Sequence, residues 1–232
     1  MHISRLDKQQ KNFWFWICIL MSMITIIAFG IAIFTLPISW PFCAESCISY
    51  PYTQIISRFP RDYIWMYFAI LLMILFVIFS SLINNLISKE KRVFSNIWFA
   101  FAIMSSTVLL IDFFIQISVI QPSLLRWESD SISIFTQYNP HGIFIVLEEL
   151  GYLIMSISFL FFWMALENFW IRKWVKRIFF AWFSLTISSF ILISFFLWIN
   201  REYIFEIAAI SINWAVLILN WILIWYLFKA NQ

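Results

Sequence analysis

Charge is the scarcest ingredient of this 232-residue chain. Only 12% of its residues are Asp, Glu, Lys or Arg, whereas a soluble domain carries about a quarter. That scarcity excludes a soluble enzyme, a disordered segment and a nucleic-acid binder. Glycine is nearly missing at three residues, and there are two histidines. Gly-rich phosphate loops, the GxSxG elbow and HExxH are all absent. The sequence therefore names no catalytic residue, no metal-ligand set and no cofactor, and it leans away from an enzyme. Proline never falls inside an apolar run: Pro37, Pro41, Pro51, Pro60, Pro122 and Pro140 all lie between runs or at their edges. Continuous helices are expected, without the broken segments that coordinate ions at a bilayer midplane.

What remains is apolar surface. Hydrophobic residues make up 63% of the chain and aromatic ones 22%. A bilayer core of about 30 Å needs roughly 20 apolar residues in a helix. Six runs qualify: 13–35, 64–86, 97–120, 143–166, 178–199 and 204–228. They predict an all-α polytopic membrane protein, a six-helix bundle forming a single transmembrane domain over 1–232. The first run has a basic start but is too long for a signal-peptide core, and no small-x-small cleavage site follows it, so it reads as a retained anchor.

Lys and Arg set the orientation. Arg5, Lys8, Lys11, Lys89, Lys91, Arg92, Arg172, Lys173, Lys176, Arg177 and Lys229 fall on one side, against Arg58, Arg61, Arg126 and Arg201 on the other. The richer side is expected to be cytoplasmic, with both termini. Trp14, Trp16, Trp170, Trp174 and Trp225 mark that interface, and seven of the eight tyrosines mark the other. The outer loops carry Pro and aromatic residues and should fold down over the helices. Small residues at Ala28 and Ala32, and at Ala181, Ser184 and Ser188, read first as seams inside the bundle. A homo-oligomer is not indicated.

Cys18 lies within the first run, while Cys43 and Cys47 share the first outer loop. A Cys43–Cys47 disulfide is plausible on an oxidising side. A thiol-oxidase role would need a second cysteine pair, which the chain lacks.

The informative residues are acids. Asp112, Glu148, Glu149 and Glu206 fall inside the runs, whereas no Lys or Arg does. At about 1.5 Å per residue, Asp112 lies about 12 Å below the outer end of its run. An ionised carboxylate there costs about 2.5–3.5 kcal/mol. Asp112 and Gln116 share a helix face, as do His141, Glu148 and Tyr152, and Glu206 and Asn213 begin a stripe continued at Asn220. Turned inward, these faces would form an acidic ligand-binding pocket of Asp112, Gln116, His141, Glu148, Glu149, Tyr152, Glu206 and Asn213. Arg58, Arg61, Arg126 and Arg201 would stand at its mouth. Asn139-Pro140 reads as the cap and first turn of the fourth helix. The bland alternative is that these polar side chains only hydrogen-bond helices together.

The segment 138–162, YNPHGIFIVLEELGYLIMSISFLFF, together with FPRDYIWMY (59–67), DFFIQ (112–116) and Gln121-Pro122, resembles a family of uncharacterised bacterial multi-pass membrane proteins with no assigned activity. The resemblance implies a bacterial cytoplasmic (inner) membrane and brings no substrate or catalytic residue. Three functions stay open: binding or transport of a cation, proton or amine-bearing amphiphile; an intramembrane enzyme acting on a lipid or isoprenoid; and a structural or sensory subunit. The expected partners are the lipid bilayer and a small cationic or amphiphilic ligand, not nucleic acid.

Overall fold

Asp7 starts the first helix. Its Oδ1 accepts the Gln10 backbone N–H at 2.7 Å, and Gln10 Oε1 accepts the Asp7 N–H at 3.2 Å. This reciprocal cap satisfies two otherwise orphaned donors. The computed structural model describes residues 7–34, 43, 48–130, 132–166 and 170–229, without the side chains of 170–175, 199, 202–203 and 220–229. The helices are α1 (Lys8–Ile33), α2 (Ile64–Leu86), α3 (Arg92–Ile115), α4 (Gln121–Leu125), α5 (Ile132–Phe135), α6 (Ile143–Ala165), α7 (Trp170–Leu197) and α8 (Glu202–Lys229). Among the described residues there is no β-strand. Five stretches are long and apolar enough to cross a membrane: Lys8–Ile33, Arg61–Leu86, Lys89–Leu125, Ile143–Ala165 and Lys176–Leu197. In α8 the corresponding described stretch is Ile204–Leu219.

The long helices close into a ring. α1 packs on α2, α2 on α3, α3 on α6, α6 on α8, and α8 returns to α1, while α7 lies outside against α6 and α8. Large hydrophobics such as Met23, Ile74, Ile111, Val146 and Phe195 are left exposed around the outside, which suits a surface facing lipid rather than water. The ring interior is filled by Trp214, whose ring meets Phe29 of α1, Trp65 of α2 and Tyr152 of α6.

One glycine sets the tightest contact. A Cβ added at Gly151 would lie 2.5 Å from Leu109 Cγ. The α6 backbone is that close to α3, and Ser105 Oγ donates to the Gly151 carbonyl at 2.8 Å. A side chain at 151 would force the two helices apart.

Three local expectations are corrected. α3 does not run on as regular α-helix: a π-helical turn, Gln116–Ile120, joins it to α4. α6 is not capped by Asn139. It starts after Gly142, and Asn139 instead bonds the His141 backbone N–H through Oδ1 and the Ser133 carbonyl through Nδ2. A Cβ at Gly142 would meet the Ile134 carbonyl at 2.9 Å, so the chain turns there only because that residue is glycine. Finally, Ala181 and Ser188 of α7 face outward and Ser184 is only half-buried, whereas Phe179 and Thr186 of that helix are buried against the bundle. The small residues of α7 are not an internal seam.

At the end of the bundle holding the first, third and fifth connections, the third connection and the 53–58 turn of the first fold over the helices. α5 and residues 136–138 lie across the opening of the ring. Gln116 Nε2 donates to the Phe135 carbonyl, and the Gln137 backbone N–H donates to Gln116 Oε1. Cys43 is disulfide-bonded and Cys18 is free and buried; Cys47 lies outside the described residues.

Candidate functional site

Two fixed registers bring three acids to one level. α3 and α6 run antiparallel and are pinned where Leu109 meets Gly151. Asp112 and Glu148 each lie three residues from that pin, toward the same end, about 4.5 Å along their axes. α6 and α8 run parallel and are pinned where Ser156 Oγ meets Asn213 Oδ1 at 3.2 Å. Glu206 lies seven residues from Asn213, which matches Glu149 seven residues from Ser156. The three carboxyls of Asp112, Glu148 and Glu206 consequently converge inside the ring.

All three are enclosed: Asp112 is 1% exposed, Glu148 0% and Glu206 9%. The Glu148 and Glu206 carboxyls face each other within reach of a shared proton, and Asp112 interacts electrostatically with both. Yet both oxygens of Glu148, Oδ2 of Asp112 and Oε2 of Glu206 have no hydrogen-bond partner. Among the described residues, no Lys, Arg or His side chain reaches this trio. Buried carboxyls without a basic partner are costly, and two that face each other need a positive charge between them.

Tyr152 forms the floor. Trp214 Nε1 donates to the Tyr152 hydroxyl at 2.8 Å, which leaves the tyrosine's own proton free for an acceptor. Glu148 lies one turn away on the same helix face and is the carboxyl with which Tyr152 interacts most strongly. Trp65 packs on Phe113, beside Asp112, and Phe113 packs on Phe144. The acids are therefore walled by aromatic rings.

The other expected site residues lie elsewhere. Glu149, rotated about 100° from Glu148, leaves the trio for Arg201, whose Nη2 lies 3.6 Å from Glu149 Oε2. That guanidinium also stacks on Phe190 and donates to Ser194 Oγ. Gln116 is spent on the covering loop. Asn213 is spent on helix contacts: its Nδ2 donates to the Ala209 carbonyl, and its Oδ1 lies beside Ser156, which also bonds Thr186. His141 is exposed on the loop before α6. Arg126 is exposed and Arg58 half-buried, outside the trio, while Arg61 pairs with Asp62.

Sequence reasoning missed Asp62, because it precedes the second apolar run. Asp62 is 3% exposed, receives the Arg61 Nε–H on Oδ1, and receives the Tyr138 hydroxyl on Oδ2 at 2.8 Å. A signal existed in its Pro-Arg-Asp-Tyr context, where a basic–acidic pair immediately precedes a membrane helix. A cleft of about 390 Å³ lies at the opposite end, lined by Gln9, Gln10, Phe13, Trp14, Leu82, Asn85 and Leu86, and none of the acids reaches it. Among the described residues, no three His, Cys, Asp or Glu side chains come close enough together to hold a metal ion. No protein family, no curated protein and no solved structure matches this chain.

Proposed function

We propose that this chain is a six-span protein of the bacterial cytoplasmic membrane, both termini cytoplasmic, which binds a proton at Asp112, Glu148 and Glu206 and moves it between the outer face and the bundle interior. The alternation of basic loops supports the topology, with α8 as the sixth span. The resemblance of segment 138–162 supports the bacterial setting. The observation that carries the functional reading is the Glu148–Glu206 pair: two facing carboxyls, enclosed by aromatic rings, with no basic partner among the described residues and four unsatisfied oxygens across the trio.

Among the candidate ligands, a proton fits best. The trio does not present metal-ligand geometry, and the cleft large enough for an amphiphile is at the other end. One proton bridging Glu148 and Glu206 satisfies an oxygen on each and removes the repulsion between them. The Tyr152 hydroxyl, held by Trp214, is placed to relay or stabilise that proton.

The test is infrared difference spectroscopy of the protein in lipid, titrated with pH. Wild type is expected to show a protonated-carboxyl band that disappears on ionisation. Glu148→Gln and Glu206→Gln should each remove it, and Glu149→Gln should leave it intact. A titration unaltered by Glu148→Gln and Glu206→Gln would show that the pair binds no proton.

A further inference from the structure

A second group of buried polar atoms lies above the acids, and helix packing does not account for it. The Tyr63 hydroxyl is fully buried and faces the side chains of Gln121, Gln137 and Tyr138. They lie near enough to interact with it, yet no hydrogen bond of regular length and angle is completed at the hydroxyl or at either amide atom of Gln121, itself 3% exposed. Three unsatisfied polar atoms in one buried place are the mark of a hydrated site, since such groups in folded proteins are met by ordered water. The position is specific. Tyr63 is two residues from Trp65, whose ring rests on Phe113 beside Asp112. Gln121 directly follows the π-helical turn that begins one turn beyond Asp112. π turns recur at functional sites because they displace side chains from the regular register.

This group is roofed by the 132–138 strap. Two bonds hold the strap to Asp62, the Tyr138 hydroxyl to Oδ2 and Gln137 Nε2 to the carbonyl, and Arg61 clamps the Asp62 carboxylate from the exposed side. Gln116 holds the strap from the α3 side. Tyr63 and Gln121 thus lie between the exposed Arg61 guanidinium and the enclosed trio.

We propose that water held by Tyr63 and Gln121 forms the passage through which a proton reaches Asp112, Glu148 and Glu206, and that the Asp62–Tyr138 bond is its latch. The inference rests on the proposed proton site and adds its way in. Water donated to the Gln121 carbonyl and Tyr63 oxygen, and accepting from the Gln121 amide, satisfies all three atoms and supplies the relay. Breaking the Asp62–Tyr138 bond leaves Gln137 Nε2 as the strap's remaining bond to Asp62, and the loosened strap opens the passage more often.

The test reads access rather than proton binding, so the two ideas fail separately. Gln121→Cys is introduced in a Cys18→Ala background, in cells or right-side-out vesicles. A small membrane-impermeant cationic thiol reagent, methanethiosulfonate ethyltrimethylammonium, is applied from outside. Labelling of the parent lacking the new cysteine is subtracted. Slow outside labelling is expected, rising at least tenfold when Asp62→Asn or Tyr138→Phe is added. Tyr138→Phe keeps the ring and removes only the hydroxyl, so it decides the matter should Asp62→Asn fail to fold. Labelling that neither variant accelerates, or that proceeds only from the cytoplasmic face, overturns the proposal. In the same preparations Gln121→Leu should slow the infrared response to a pH jump several-fold without shifting its midpoint. A shifted midpoint with an unchanged rate overturns the relay role and would show that Gln121 acts on the acids directly.

Discussion

Two polar layers inside one ring behave differently. In the inner layer, Ser156, Thr186 and Asn213 tie α6, α7 and α8 together, with each side chain engaged by another or by a helix carbonyl. Two turns nearer the covering strap, Asp112, Glu148 and Glu206 occupy the same helices or their neighbour, equally buried, and leave four oxygens unmatched. The inner layer uses hydroxyls and an amide, which suffice to join helices at little cost. The outer layer uses carboxyls, which join helices no better and cost more to bury. Burial does not distinguish these two layers; the state of their hydrogen bonds does.

That contrast can be broken most severely at the point that aligns it. Gly151→Leu is expected to wedge α3 from α6, since the new side chain begins 2.5 Å from Leu109. Overpacking typically costs about 1–3 kcal/mol, occasionally more, and here the damage should appear as loss of a monodisperse peak in detergent size-exclusion chromatography. Gly151→Ala with Leu109→Ala should recover part of it. The next effect is one of opposite signs. Glu148→Gln and Glu206→Gln are expected to leave melting temperature unchanged or raise it while abolishing the carboxyl infrared signal. Asn213→Leu should lower melting temperature with that signal intact. Membrane hydrogen bonds average about 0.6 kcal/mol, with a maximum of about 1.7, which bounds the Asn213→Leu loss. A melt in which Glu148→Gln destabilises more than Asn213→Leu would reverse the assignment of the two layers. The smallest effect belongs to Glu149. Its partner Arg201 is partly exposed, so Glu149→Gln should change stability by under about 1 kcal/mol and spare the infrared signal. A large change in either would place Glu149 with the trio.

Much of this was legible before any coordinates. Apolar runs marked each long helix, with starts up to eight residues late where a helix opens on polar and basic residues, as α7 does at 170 against the run from 178, because hydrophobic length is a composition property. The run 64–86 coincides with α2. Convergence of Asp112 with Glu148 was anticipated from depth and face. The separation of Glu149 from Glu148 follows from the 100° step between successive residues, but its pairing with Arg201 depends on where the α7–α8 connection lands. The roles of Gln116 and Asn213 were not readable, since an amide on a polar face fits a ligand site and a helix contact equally well. Gly151 looked like an ordinary glycine within a run, because only the approach of α3 gives its missing side chain a meaning. Asp62 was overlooked for the converse reason: it stands outside the apolar runs and is buried by a loop 76 residues away in sequence.

The π-helical turn at Gln116–Ile120 carries one residue more than the regular helix would hold. Removing any single residue from it would let the helix run straight. Because the turn absorbs that residue, everything beyond would keep its direction, and Gln121 would still face Tyr63. The extra residue is a local swelling of the helix wall between the acid and the amide above it, so a one-codon deletion of Ile117, Ser118 or Val119 would flatten that wall and leave both polar layers facing inward.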